Sequence, residues 1–120
     1  MLSKDILTNV FIIILTILII SCDVKPQKIV PDEYKAGQMV FHQICANCHG
    51  PDAMGGNKAP KLIQKKFTRE NFSNGRIAKT ILNGSSSGSM PSQKGKLSDE
   101  EIRQVIKYIR YSQKDSGLAP

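Results

Sequence analysis

The stretch Cys45-Ala46-Asn47-Cys48-His49 decides the fold of this chain. Its pattern, C-x-x-C-H, is the attachment signature for c-type haem. Two thiols on roughly one turn of chain can form thioethers with the two vinyl groups on one edge of a porphyrin. The adjacent imidazole can then bind the iron from the proximal side. The motif therefore predicts one covalently bound haem c, with Cys45 and Cys48 as thioether residues and His49 as an axial ligand.

Two other uses of these residues are open at this point. A redox-active C-x-x-C normally lies where a strand meets a helix in a thioredoxin-like fold, and no strand pattern precedes Cys45. A zinc site could combine His42 with both cysteines and His49. The adjacency of Cys48 and His49 makes tetrahedral ligation by both awkward. We favour haem, and we expect His42 to be a partly exposed helix residue rather than a ligand.

The first 21 residues have the pattern of a lipoprotein-type signal peptide. Lys4 precedes an 11-residue run at positions 10–20 that is apolar except for Thr16. A membrane-spanning helix needs about 20 such residues, so a cleaved signal is favoured over a permanent anchor. The run ends in Ile19-Ile20-Ser21-Cys22, which resembles the lipobox of bacterial lipoproteins. Cys22 is therefore the expected lipidation site, and an ordinary signal peptide followed by a stray cysteine is the alternative.

The rest of the chain is long enough for one compact domain. Residues 22–31, with two prolines, are interpreted as a membrane tether, residues 32–114 as the domain and residues 115–120 as a flexible tail. The formal charge is +7, from 17 Lys and Arg against 10 Asp and Glu. Such a balance suits an acidic protein partner or an anionic surface. No nucleic-acid-reading pattern is present, and each of the three cysteines has a use without a disulfide.

The hydrophobic pattern predicts an all-α fold. A first helix is expected over residues 32–44, with Gly37, Val40, Phe41 and Ile44 on one stripe. A second is expected over residues 73–83, with its apolar face inward and Gly84 ending it.

The last helix is the clearest element of the sequence. Ser98 and Glu101 form a capping box, and Leu97 can pack onto Ile102. Its apolar face comprises Ile102, Val105, Ile106 and Ile109. A shorter helical piece is expected around residues 61–66.

With the motif and these helices, the chain resembles the class I cytochrome c family over residues 32–112. The resemblance is carried by the C-x-x-C-H motif, Gly37, Phe41, Pro60, Ser89-Met90-Pro91 and Tyr108. It implies three to four helices around one covalently bound haem, in a domain that the signal segment precedes in the chain. It also implies that Gly37 and Phe41 pack against residues 106–108, and that the Pro60 carbonyl orients His49 by accepting a hydrogen bond.

The second axial ligand is expected to be a methionine. Met1 leaves with the leader, and Met39 in the first helix is expected to pack in the core. Met54 follows His49 too closely to reach the opposite face of the ring. Met90 lies 41 residues downstream of His49 in a loop stiffened by a proline. Met90 is therefore the predicted distal ligand, and the alternative is that it only fills the distal pocket.

A histidine and a methionine together fill both axial positions of the iron and raise its potential. We therefore expect a non-enzymatic single-electron carrier, exported and membrane-anchored on the periplasmic side, that acts with redox partner proteins and without a small-molecule substrate. One alternative is a five-coordinate haem protein in which Met90 is displaced and a gas or peroxide binds. Another is a non-catalytic haem c subunit of an oxidase or dehydrogenase complex.

Basic residues flank the segments that carry the two predicted ligands. In the family that the chain resembles, such segments tend to surround the exposed haem edge. We therefore expect a basic ring that steers an acidic redox partner, with ordinary solvated loops as the alternative. The residues concerned are Lys58, Lys61, Lys65, Lys66, Arg69, Lys94 and Lys96.

Overall fold

The computed structural model of this protein describes residues 3–17 and 23–120. Within these residues the regular structure is helical, and no strand is formed. The α-helices are α1 (Lys4–Ile17), α2 (Asp32–Val40), α3 (Ala46–His49), α4 (Asn74–Asn83) and α5 (Asp99–Asp115). This confirms the all-α prediction.

Helix α1 contains the beginning of the predicted signal segment. Among the described residues, no helix combines the length and the apolar character needed to cross a membrane. The end of the predicted signal segment and the expected lipidation site, Cys22, lie outside the described residues.

The first helix of the domain runs further than the sequence pattern predicts. Helix α2 begins after Pro31, with Asp32 and Glu33 in its first turn. It passes into a π-helical turn at Phe41–Cys45 and then into α3, which ends at His49. Such π-turns are frequently found at functional sites. The whole attachment motif therefore lies at the end of one helical segment rather than in a loop after it.

The crossing of α2 and α5 organises the core. A Cβ atom at Gly37 would lie 2.1 Å from the backbone oxygen of Gln104 and 2.8 Å from Cβ of Tyr108. Only glycine permits this approach. Next to the crossing, the rings of Phe41 and Tyr108 lie 5.4 Å apart and are almost completely buried. This confirms the predicted packing of Gly37 and Phe41 against the last helix.

Helices α4 and α5 begin where the sequence predicts. Ser73 caps α4 by accepting a hydrogen bond from the backbone N–H of Arg76. Ser98 and Glu101 form the predicted capping box of α5, which satisfies N–H groups that would otherwise lack a partner. The helical piece expected around residues 61–66 is only a short 3₁₀ turn at Lys65–Phe67.

The segment before α2, residues 24–30, lies against the domain. Val30 is buried in the core and Val24 packs against its edge. The backbone N–H of Gln27 donates to Oδ2 of Asp52 at 2.9 Å, and Gln38 donates to the carbonyl oxygen of Lys28 at 2.8 Å. Much of the predicted tether is thus in contact with the domain, because two partly buried hydrogen bonds and two valine side chains hold it there. We call residues 24–30 the docked segment.

Candidate haem site

The three side chains of the motif are placed by the π-turn and α3. Cys45 ends the π-turn, and Cys48 and His49 end α3, where Gly50 terminates the helix with φ 77°. All three side chains are partly buried, and neither thiol forms a disulfide. The structure therefore presents two free thiols and an imidazole within two helical turns.

The Cys45 thiol is uncharged at neutral pH. Burial, together with the neighbouring Cys48, raises the pKa of Cys45 to about 12. A redox-active thiol requires a lowered pKa, since the thiolate is the nucleophile. The Cys45 environment therefore disfavours the thioredoxin-like alternative. It suits a neutral thioether against an apolar ring.

The imidazole of His49 is held by the backbone of a distant loop. Its Nδ1 lies 2.9 Å from the carbonyl oxygen of Pro60. A carbonyl can only accept, so Nδ1 carries the proton and donates. Nε2 is then left with a lone pair, which is the state that an iron ligand requires. This is the contact that the family resemblance implies for Pro60.

His42 is buried, so the prediction of a partly exposed helix histidine is wrong. Its side chain is 5% exposed, and both ring nitrogens are engaged. Nδ1 donates to the carbonyl oxygen of Gln38 at 2.7 Å, and Nε2 accepts from the backbone N–H of Asp52 at 3.0 Å. No lone pair remains for a metal. Over the described ranges, no group of three or more His, Cys, Asp or Glu residues could hold a metal ion, which disfavours the zinc alternative.

Asp52 is a structural residue that the sequence pattern did not reveal. It follows the motif by three residues, adopts φ 54° and is 4% exposed. Its backbone donates to His42, while its carboxylate accepts from Gln27 and, at 3.4 Å, from the hydroxyl of Tyr108. It thus joins the docked segment, the π-turn and α5 behind the motif. No periodicity marks such a residue, although Gly50-Pro51 before it indicates a tight turn.

The methionines differ sharply in their surroundings. Met39 is 58% exposed on α2, so the expectation that it packs in the core is wrong. Met54 is 45% exposed. Met90 is partly buried and packs against the core cluster. Met90 is therefore the described methionine whose side chain is turned towards the interior, as a distal ligand would be.

Helix α4 presents apolar side chains next to the Met90 loop. The sequence predicts that Ile77, Ala78, Ile81 and Leu82 all face inward. In the structure Ile81 is buried, whereas the other three are only partly buried against the core. A planar apolar group can cover such surface. The site thus combines an apolar lining, supplied by these side chains, with groups that could hold haem c. Those groups are the two thiols, the free Nε2 of His49 and the Met90 thioether.

All seven basic residues of the predicted ring are exposed. Among the described residues, none of them forms an ion pair with a carboxylate. Their charges are therefore available to a partner.

The chain is similar to known proteins over most of the domain. The sequence profile of the family described as cytochrome c oxidase, cbb3-type, subunit III matches residues 32–109. Cytochrome c6 of Leptolyngbya boryana is 35% identical over 79 residues, which cover 62% of this chain and 86% of that protein. Cytochrome c6 of Porphyra purpurea is 34% identical over 84 residues, which cover 68% and 72%.

A larger protein contains a similar stretch. Quinohemoprotein alcohol dehydrogenase ADH IIB of Pseudomonas putida is 29% identical over 97 residues, which cover 79% of this chain. The chain spans only 13% of the length of that dehydrogenase.

Proposed function

This chain belongs to the class I monohaem c-type cytochromes and carries covalently bound haem c, and from that premise we propose that it transfers single electrons with His49 and Met90 as axial iron ligands. Members of this family are electron carriers that act with redox partner proteins. The observation that carries the ligand assignment is the hydrogen bond from Nδ1 of His49 to Pro60, which leaves Nε2 for iron. The inward-turned Met90 supports the second ligand.

The haem supplies a metal that gains and loses one electron, and the chain determines how that metal is held. His49 is oriented by a backbone carbonyl on a loop that packs against the domain. With His49 and Met90 both bound to it, the iron would have no position for a substrate. We therefore propose outer-sphere electron transfer and no catalysis at the metal.

The decisive test is whether the colour of the protein is covalently attached. The full chain, produced in a host with a haem-maturation system, is expected to keep its haem after acid-acetone extraction and to give a pyridine haemochrome spectrum of haem c. The double variant Cys45→Ser with Cys48→Ser should lose it completely. Cys22→Ser, a matched cysteine change outside the motif, should keep it. Colourless wild-type protein would overturn the proposal.

The axial ligands are tested by a carbon monoxide titration of the reduced protein. With both axial positions filled, the reduced spectrum is expected to change little on addition of carbon monoxide. A rapid and complete change would instead support the five-coordinate alternative, in which Met90 is displaced.

We propose an acidic partner because the exposed lysines carry unpaired charge. Opposite charge raises association rates at low salt, and added salt screens this effect. Stopped-flow electron transfer with an acidic redox protein should therefore slow steeply as ionic strength rises. A rate indifferent to salt would rule steering out.

We further propose that the domain works at the extracytoplasmic surface of a bacterial membrane, anchored through a lipidated Cys22. The apolar run and the lipobox-like sequence support this location. The docked segment begins at Val24, two residues after Cys22, and two residues reach only about 7 Å. An anchored domain would therefore lie close to the bilayer. Mass spectrometry of the mature N-terminus is the test, and an unmodified Cys22 in membrane-extracted protein would exclude the anchor.

A second candidate is a permanent haem subunit of a larger enzyme. The matching family profile is that of an oxidase subunit, and one relative is a much longer dehydrogenase. Co-purification from detergent-solubilised membranes at high salt separates the two candidates. A stable complex favours the subunit, whereas release as a single chain favours the mobile carrier.

A further inference from the structure

The loop between α4 and α5 holds the backbone of Met90 in place, because both the N–H and the carbonyl oxygen of Met90 are hydrogen-bonded within the loop. The backbone N–H of Met90 donates to Oγ of Ser85 at 3.0 Å. The carbonyl oxygen of Met90 accepts from the backbone N–H of Ser85, also at 3.0 Å. Ser85 therefore pairs with Met90 across the loop, and its hydroxyl makes one of the two bonds.

The Ser85 hydroxyl is itself held in place. Its Oγ lies 3.1 Å from Oγ of Ser87 and 3.4 Å from Oγ of Ser89. A hydroxyl has one proton to donate and two lone pairs with which to accept. Ser85 can thus donate to a neighbouring serine while it accepts from Met90. In the part of the chain that the structure describes, Ser85 is the side chain that bonds the Met90 backbone.

The segment after Met90 is fastened to the end of α4. The backbone N–H of Gln93 donates to the carbonyl oxygen of Ile81 at 2.8 Å, and the Ser92 hydroxyl donates to the carbonyl oxygen of Leu82. These carbonyls belong to the last turn of a helix, where intrahelical partners are missing. The loop is therefore anchored to α4 on one side of Met90 and closed by Ser85 on the other.

We propose that Ser85 is a positioning residue that keeps the Met90 thioether on the haem iron, an inference that rests on the ligand role of Met90 proposed above. A thioether is a neutral, weak ligand, so an external ligand competes with it whenever the loop moves away. The apparent affinity of such a competitor depends on the fraction of molecules in which the loop is released. By holding the loop closed, the Ser85 hydroxyl keeps that fraction small.

Imidazole binding to the ferric holoprotein measures the released fraction. Ser85→Ala removes one hydrogen bond to Met90 and is expected to tighten imidazole binding about five-fold. Ser87→Ala is the matched control, because Ser87 lies in the same loop and bonds other serines but not Met90. It should stay within about two-fold of wild type, since it removes no bond to Met90 itself and leaves Ser89 to hold the Ser85 hydroxyl. Ser85→Thr, which keeps the hydroxyl, should restore the wild-type affinity. Equal affinities in wild type, Ser85→Ala and Ser87→Ala would overturn the inference.

The variant Met90→Ala separates this inference from the assignment of Met90 itself. If Met90 is the ligand, Met90→Ala removes the weak far-red absorption typical of methionine-ligated ferric haem c and binds imidazole more tightly than Ser85→Ala. An unchanged spectrum would overturn both the ligand assignment and the role of Ser85. A changed spectrum in Met90→Ala with an unaltered Ser85→Ala would overturn only the role of Ser85.

Discussion

The two sides of the candidate haem site are held by different kinds of interaction. The proximal region, defined here as α2 to Pro60 together with α5, is fixed by buried side chains and by direct contact between helices. The distal loop, residues 84–97, is fixed by hydrogen bonds among serines and backbone groups, many of them exposed. Phe41 and Tyr108 are almost fully buried, whereas Ser87 and Ser89 are exposed.

This difference separates the two proposed iron ligands energetically. His49 ends the helical segment that begins with α2, and the contact of α2 with α5 forms the core. Moving His49 therefore requires disturbing the core of the fold. Met90 depends on a few local bonds that can open without global unfolding. We therefore expect changes in the proximal region to act on the free energy of unfolding, and changes at the contacts of Met90 in the distal loop to act on ligand binding at the iron as well.

The largest effect is expected from Gly37→Ala. Its Cβ would lie 2.1 Å from the Gln104 carbonyl oxygen, a backbone atom that can move only if α2 and α5 separate. We expect a loss of about 3 kcal/mol or more in the free energy of unfolding, measured by denaturant titration of the holoprotein. Gly75→Ala is the control, because its Cβ would meet nothing closer than 3.9 Å. It should be neutral or stabilising by up to about 1 kcal/mol. Equal effects of the two variants would contradict the close crossing.

The next effect is expected from His42→Leu, which keeps the volume but removes both polar contacts of the ring. The buried backbone N–H of Asp52 would lose its acceptor. An unsatisfied buried donor of this kind reduces the free energy of unfolding by about 1–3 kcal/mol. Gln43→Leu, on the adjacent exposed position, should change it by less than about 0.5 kcal/mol. An unchanged denaturant midpoint of unfolding for His42→Leu would show that the buried hydrogen bonds of His42 do not stabilise the proximal region.

In the distal loop, Gly84→Ala and Gly88→Ala separate steric contact from backbone strain. Both glycines have positive φ, 81° and 76°. Alanine at either should reduce the free energy of unfolding by about 1–2 kcal/mol. Only at Gly84 would the Cβ press on the Met90 carbonyl oxygen, at 2.6 Å. Gly84→Ala should therefore also tighten imidazole binding about ten-fold, equivalent to about 1.4 kcal/mol, whereas Gly88→Ala should not. An equal change in imidazole affinity in both variants would contradict the specific contact between position 84 and Met90.

The smallest effect at neutral pH is expected from Tyr108→Phe, which removes a long hydrogen bond to Asp52. The loss should lower the free energy of unfolding by about 1 kcal/mol or less. Its signature is at high pH. Burial, then the nearby Asp52 charge, raise the pKa of Tyr108 from 10.0 to about 12. Between these values the unfolded chain loses a proton that the folded chain keeps. Stability therefore falls as pH rises through this window. Tyr108→Phe should show a shallower fall, and an identical slope would contradict the raised pKa.

The sequence predicts the helices and the covalently bound haem well, because their signals are local. The capping box of α5, the serine cap of α4 and the C-x-x-C-H spacing all lie within a few residues. The π-turn was not predicted, because a single extra residue in a helix changes no periodicity that a short stretch can reveal. Met39 and His42 were both placed wrongly, since one turn of helix contains positions on the core and on solvent.

The sequence by itself determined the chemistry of this protein: two thiols and an imidazole at fixed spacing specify a covalently held haem wherever the helix lies. Only the tertiary structure decided how that helix is supported. Asp52 connects residues 27, 42 and 108, and Ser85 meets Met90 across a turn. The physical reason is that burial and hydrogen bonding between residues far apart in the chain depend on their distance in space, which no local pattern specifies.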